Sequence, residues 1–247
     1  MRNIWTIARR EYKLFFISPI AYVVAFLFLF VLGLFFSLNM YGAIRQLFMG
    51  QSSAPDVQII TGPMITLLLF TVPAVTMRTI AEEQRSGTLE LLLTAPVRDW
   101  ELIAGKWLGT FLFMASLLLM TGVFPLALNL MVKPGIDLGL TAANYLGLLL
   151  LVSNMLAIGI AVSALFANQI AAFFIGLGAV LTLWLLNNVS QYVTGVWKTI
   201  VDALDLIAHF LSFYRGIIDL KDVVYFISMT FLFLFIGSAL IEMRRWR

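Results

Sequence analysis

No cysteine occurs in the 247 residues, and His209 is the one histidine. A disulfide framework, a thiolate metal site and a cysteine nucleophile are therefore excluded. With no Cys and no second His to share a metal, His209 reads as a solvated helix residue. Charge is also scarce: Asp, Glu, Lys and Arg make up 12% of the chain, where a soluble domain carries ~25%. The space is filled by apolar residues, 62% of the total, including 21 Phe. No soluble fold of this size has interior enough for them. Disorder fails on the same ground, because disordered chains are poor in aromatics and rich in charge. The net charge of +3 forms no basic stripe outside the chain ends, which excludes nucleic acid as a partner. The composition is that of an all-α, polytopic integral membrane protein.

A spanning helix needs ~20 mostly apolar residues without uncompensated charge. Six stretches qualify: 19–38, 57–77, 107–132, 145–166, 170–186 and 223–241. Pro63 and Pro73 are expected to kink the second, and Pro125 lies near the far end of the third. The fourth and fifth divide a charge-free run at Asn168–Gln169, its one good hinge. No internal repeat or low-complexity segment interrupts the chain, so 1–247 is read as a single transmembrane domain. The first span is too long for a signal-peptide core, and no small-x-small site follows Leu38. Lys and Arg set the orientation. The N-terminal segment, the second loop, the fourth loop and the tail together hold 11 of them, against five on the other side. Both termini are expected to face the cytoplasm.

Outside the spans, residues 2–16 form a helix candidate with a polar stripe of Arg2, Thr6, Arg9, Arg10 and Lys13. Ile4, Trp5, Ala8, Tyr12, Phe15 and Phe16 cover its other face. A basic amphipathic helix of this kind lies among lipid headgroups, either as a plain anchor or as a lever on the first span. Between spans five and six, Val193, Val196, Trp197, Ile200, Val201, Leu204, Ile207, Ala208 and Leu211 recur at helical spacing. Lys198–Asp202 and Asp205–His209 are i,i+4 pairs on the opposite face. This outer segment either floats at the interface or dips into the leaflet as a plug.

The second loop is the most informative. Charges flank a small apolar knot at 89–93; Gly87 permits a sharp bend, Thr88 can cap a short helix, and Glu90 suits its positive end. Pro96 then ends that helix. A short exposed helix carrying several Leu makes sense if they enter a partner's groove or lie back on the membrane.

The pattern Glu83-x-x-x-Gly87-Thr88-x-Glu90-x-Leu92-Leu93-x-x-Pro96 closely resembles the cytoplasmic loop of ABC-2-type transporter permeases, the six-span membrane subunits of ATP-binding-cassette exporters. Arg10-Glu11-Tyr12, Ser18-Pro19-Ile20 and Tyr214-Arg215-Gly216-Ile217-Ile218-Asp219 look like the gliding-motility-type permeases within that group. The resemblance implies that Glu83, Gly87, Thr88, Glu90, Leu92, Leu93 and Pro96 belong to a coupling helix seated on an ATP-binding subunit. It also implies two permeases, identical or paralogous, with the translocation route between them, in a prokaryotic inner membrane.

The energy source has an argument of its own. The spans as drawn contain no Asp, Glu, Lys, Arg or His, whereas ion-coupled transporters place such residues inside the membrane. No phosphate-binding G-x-x-x-x-G-K-[ST] loop occurs either, since Gly105-Lys106 is followed by Trp107. No cofactor is expected in this chain; ATP and Mg²⁺ are expected in a partner ATPase. An intramembrane enzyme is disfavoured because Ser116, Ser153, Ser163 and Thr182 have no His or Lys beside them, and such hydroxyls bond to helix backbones or neighbours. The alternative reading is a channel or scaffold, whose packing would suit Gly159, Ala161, Gly176 and Gly178. The Glu83–Pro96 pattern discriminates, since a scaffold has no use for it. Asn129, Asn154, Asn187, Asn188 and Gln191 are the available polar lining, compatible with lipids, amphiphilic drugs, glycoconjugates or a polypeptide.

Overall fold

A computed structural model describes residues 2–49, 55–88, 97–133 and 135–245. Among them all regular structure is helical: α1 (Arg2–Ile17), α2 (Pro19–Phe48), α3 (Gln58–Thr76), α4 (Ala81–Ser86), α5 (Asp99–Met120), α6 (Val123–Met131), α7 (Leu138–Leu165), α8 (Gln169–Val189), α9 (Val196–Leu204), α10 (Leu206–Tyr214) and α11 (Leu220–Arg245). Among the described residues six segments are long and apolar enough to cross a membrane, one at each expected place. They run longer than drawn, because helix continues past the apolar core until a cap or breaker stops it.

The stops have local causes. Between α5 and α6 the break falls at Thr121–Gly122, four residues ahead of Pro125. Pro125 has no N–H to offer the Thr121 carbonyl, which accepts instead from Phe124 N at 3.0 Å. Asp137 caps α7 by accepting from Gly139 N at 2.7 Å and Leu140 N at 3.1 Å. Asn168 does the same for α8 through Ile170 N at 2.9 Å, so the Asn168–Gln169 hinge stands where the sequence placed it.

The outer segment departs from expectation. It is two helices, because Asp205 leaves helical geometry and its Oδ1 accepts from Ile207 N and Ala208 N to start α10. Asp205 therefore does not pair with His209, and its Oδ2 accepts from Asn187 Nδ2 at 2.9 Å. Asp202 bonds Ser190 rather than Lys198. Nor is His209 solvated: its Nδ1 lies 2.7 Å from Asp222 Oδ1, and its ring stacks on Tyr225 with centroids 3.9 Å apart. The turn at Gly216 (φ 82°) folds the chain back to bring Asp222 there, a long-range return that i,i+4 spacing cannot show.

α7 is the central post, with 72% of its most apolar stretch buried; the figure is 17% for both α2 and α8, which are peripheral. α3 meets α7 closely at Gly159, where an added Cβ would fall 2.2 Å from Thr76 Oγ1. Gly159 thus packs as expected, whereas a Cβ added at Gly178 would meet nothing within 4 Å among the described residues. At one end of the bundle Ile80, Leu102, Ile103, Ile160, Ala164 and Ile241 form a small cluster. It gathers the end of the α3–α4 turn, the start of α5, the end of α7 and the end of α11.

At the opposite end Asn144 ties α3, α7 and α10 together. Its Oδ1 accepts from Thr61 Oγ1 at 2.9 Å. Its Nδ2 faces the carbonyls of Leu140, Phe213 and Tyr214 at 2.9, 3.2 and 3.3 Å. Gln58 Nε2 donates to the Tyr214 carbonyl as well, at 2.9 Å. Burial, with Asp56 adding to it, pushes the Tyr214 hydroxyl above its usual pKa. Asn144→Leu would leave the Thr61 hydroxyl and the α10 carbonyls buried without this amide. A loss of ~1–3 kcal/mol in detergent unfolding is expected, and an unchanged midpoint would show that the network contributes nothing.

Candidate functional site

α1 is bound to α5 along most of its length, parallel to it and in a fixed register. Asn3 Nδ2 donates to Glu101 Oε2 at 3.1 Å. One turn on, a Cβ at Gly105 would lie 2.7 Å from Ile7 Cβ, and after another turn a Cβ at Gly109 would lie 2.6 Å from Glu11 Cβ. A turn later Phe15 stacks on Phe113 with centroids 4.6 Å apart. Residues four apart on each helix thus form facing ridges, and the two glycines let the backbones approach. Tyr12 Oη and Ser116 Oγ add a hydrogen bond of 3.2 Å.

The basic stripe of α1 points away from this seam, as its sequence spacing requires: Arg2, Arg9, Arg10 and Lys13 are all exposed. The opposite face is less uniform than its apolar residues suggest. Ala8 and Glu11 are the buried residues of α1, whereas Trp5 is 57% exposed. A carboxylate therefore enters the seam, and Lys106 explains it.

Lys106 is 1% exposed and lies on α5 between the two seam glycines. An ammonium has three N–H donors, and all three are used. Its Nζ reaches Glu11 Oε1 at 3.0 Å, Glu83 Oε1 at 2.8 Å and the Thr79 carbonyl at 2.8 Å. One buried cation thus joins α1, the turn ending α3, the short α4 and α5. Charges this deep persist only when paired and hydrogen-bonded, and the two carboxylates with a carbonyl meet that condition.

Glu83, the first residue of the loop pattern, is thereby positioned by the fold. α4 itself is pinned to α7, since Ser163 Oγ accepts from Ile80 N at 3.2 Å and Ala81 N at 3.1 Å. Gln84 Nε2 donates to the Ala164 carbonyl at 2.9 Å. Gly87 closes α4 with φ 72° in the left-handed region, the bend expected of it, where any Cβ would be strained. Thr88 turns back, its Oγ1 donating to the Glu83 carbonyl at 3.4 Å and lying 2.8 Å from Ser86 Oγ. Glu90, Leu92, Leu93 and Pro96 lie outside the described residues.

Sequence reasoning counted Lys106 as one more loop cation and gave Glu11 no role. The available signal was Gly105 and Gly109, two small residues four apart that flank Lys106 on one helix face, a spacing that brings a second helix close. The absence of charge from the spans as drawn holds only narrowly. Lys106 stands one residue before the third, and Asp222, 1% exposed, one residue before the sixth. The hydroxyls behave as expected of packing groups: Ser153 meets Thr230 at 3.3 Å, and Thr182 donates to the Gly178 carbonyl at 2.8 Å. The amides do not line one cavity. Asn129 Oδ1 accepts from Ile136 N at 3.0 Å, Asn187 holds Asp205, and Asn154 is buried inside α7.

No curated protein gives a significant match to this sequence. A family model described as ABC-2 family transporter protein matches residues 5–230, which takes in most of α1, α4, Lys106, the first five membrane-spanning helices and the start of the sixth. The chain accordingly belongs to the ABC-2 transporter family, whose members are membrane permease components of ABC transporters.

Proposed function

We propose that this chain is the permease subunit of an ATP-driven exporter, paired with a second permease, identical or paralogous, and worked by a separate cytoplasmic ATPase that holds the ATP and Mg²⁺. In this reading the 1–247 domain sits in a prokaryotic inner membrane with both termini cytoplasmic, and it belongs with the gliding-motility-type permeases. The second loop, from Glu83 through Gly87, Thr88, Glu90, Leu92 and Leu93 to Pro96, docks on the ATPase. α1 lies at the cytoplasmic headgroup level, its exposed Arg2, Arg9, Arg10 and Lys13 toward anionic lipid.

The observation that carries the reading is the Lys106 cluster. A partner pulling on the loop moves Glu83, and Glu83 is held by the same ammonium that holds α1 and α5. Force on Glu83 therefore reaches α1 and a spanning helix through contacts under 3.1 Å. A channel or scaffold needs no such tie between its N-terminal helix and a surface loop.

The test is purification of the chain from its native membranes under gentle detergent, with the associated proteins identified. A stoichiometric ATPase is expected, lost on Leu92→Asp, while Glu83→Ala abolishes transport-linked ATP hydrolysis and leaves membrane insertion intact. Recovery of folded chain with no ATPase would favour the channel or scaffold reading.

A further inference from the structure

Beside the Lys106 cluster a cavity of about 610 Å³ opens between α1, the foot of α2, the end of α3 and α5. Its two ends differ in chemistry. At one, Arg10 and Glu83 stand beside the ion pair of Arg78 with Glu82, whose Nε and Oε2 are 3.1 Å apart; at the other, Ala21, Val24, Val75 and Phe113 offer only hydrocarbon and an aromatic ring. A second, smaller space of about 150 Å³, walled by Tyr22, Ala25, Leu117 and Met120, shares Phe15, Ala21 and Phe113 with the first. The two spaces abut at those shared walls, so an apolar channel flanks the polar chamber.

Two charged groups at the polar end are left without full partners. Glu83 commits Oε1 to Lys106, while its buried Oε2 has no hydrogen-bond donor among the described residues. Arg10 is exposed and forms no ion pair among them. A buried carboxylate oxygen without a donor is costly, and an incoming ammonium would satisfy it; a guanidinium is the group that suits phosphate. The groove beyond wants a flexible apolar chain, and α2, with α8 the least enclosed of the six spans, leaves its flank open for one to enter from the side.

We propose that this space binds one amine-bearing glycerophospholipid. Its phosphate lies at Arg10, its ammonium at Glu83 Oε2, and one acyl chain runs along Ala21, Val24 and Phe113 toward the smaller space. A soluble phosphate ester would leave the apolar channel unfilled, and an anionic lipid without an amine would leave Glu83 Oε2 unanswered. The site does not depend on coupling to an ATPase and stands or falls separately from it.

The test uses the full chain in vesicles doped with phosphatidylethanolamine carrying a photoreactive group in its acyl chain, and maps the labelled residues. Labelling is expected to concentrate at 21–25 and 113–120. Ala21→Trp, which fills the groove, should lower it by about tenfold, equivalent to ~1.4 kcal/mol. Val24→Trp provides the same block from another position should Ala21→Trp fail to fold, and Arg10→Gln, on an exposed side chain, should weaken labelling severalfold without repacking. Phosphatidylglycerol with the same chain should label less. Uniform labelling of the outer faces of α2 and α8, unchanged by either Trp, would overturn the site. Equal labelling by phosphatidylglycerol would overturn the amine assignment, and full competition by free glycerophosphoethanolamine would overturn the role of the chain.

Discussion

Lys106→Met is expected to lower stability by ~3–5 kcal/mol, because it removes the cation and leaves the two carboxylates it held. Glu11 and Glu83 keep side-chain exposures of 9% and 16%, so water cannot replace the lost ammonium at full strength. Their repulsion would push α1 off α5 and free α4 from both. The measurement is the unfolding midpoint in a graded denaturing detergent, read alongside transport-linked ATP hydrolysis, which should fall with it. The charge argument makes a second demand. Combining Lys106→Met with Glu11→Gln and Glu83→Gln should recover most of the stability, because neutral amides can hydrogen-bond where carboxylates repel. It should not recover coupled activity. A Lys106→Met protein as stable as the parent would show that the cluster is solvated and that the ion pairs carry little.

Gly109→Leu is the second large effect expected, and it acts by shape alone. A Cβ at this position would meet Glu11 Cβ at 2.6 Å and the Ala8 carbonyl oxygen at 2.7 Å. Backbone and Cβ atoms cannot swing aside as the far end of a side chain can, so the two helices must separate. Overpacking of this kind costs ~1–3 kcal/mol, and here the ion pair from Lys106 to Glu11 is lengthened with it. The absence of native cysteine makes the check direct: in a chain carrying Asn3→Cys and Glu101→Cys, the introduced thiols are the only ones present. A short dithiol cross-linker should join them efficiently, and adding Gly109→Leu should abolish the product. Persistent cross-linking would mean that α1 tolerates the extra volume and that the seam is looser than its glycines suggest.

What could be read from the sequence, and what could not, divides along a physical line. Span number and position came from hydropathy over some twenty residues at a time, a signal strong enough to survive every local detail. The Asn168–Gln169 hinge and the Gly87 bend were legible because they rest on one or two residues. Asp205 is the same kind of residue, but there the apolar stripe from Val193 to Leu211 ran across it and masked the cap that divides α9 from α10. Long-range partners were not legible at all. His209 finds Asp222 only because the chain reverses at Gly216, and Glu11 finds Lys106 across 95 residues. Periodicity describes which face a residue occupies, not what a distant segment will bring to that face. The polar stripe of α1 could thus be assigned while the carboxylate on its other side had no explanation.

The separation between Glu11 and Lys106 bears on the order in which the protein can be assembled. Synthesis delivers Glu11 first and Glu83 next, so both acids are at the membrane before Lys106, the cation buried between them, has been made. Until α5 emerges, α1 has no groove to lie in and no charge to close on, and it must wait loosely attached while the first two spans insert. The arrival of Lys106 is then a checkpoint: a chain stopped or mis-threaded before that residue carries an undocked N-terminal helix and two acids without their shared ammonium. A quality-control protease at the membrane surface could recognise those features, and they vanish once the third span is seated.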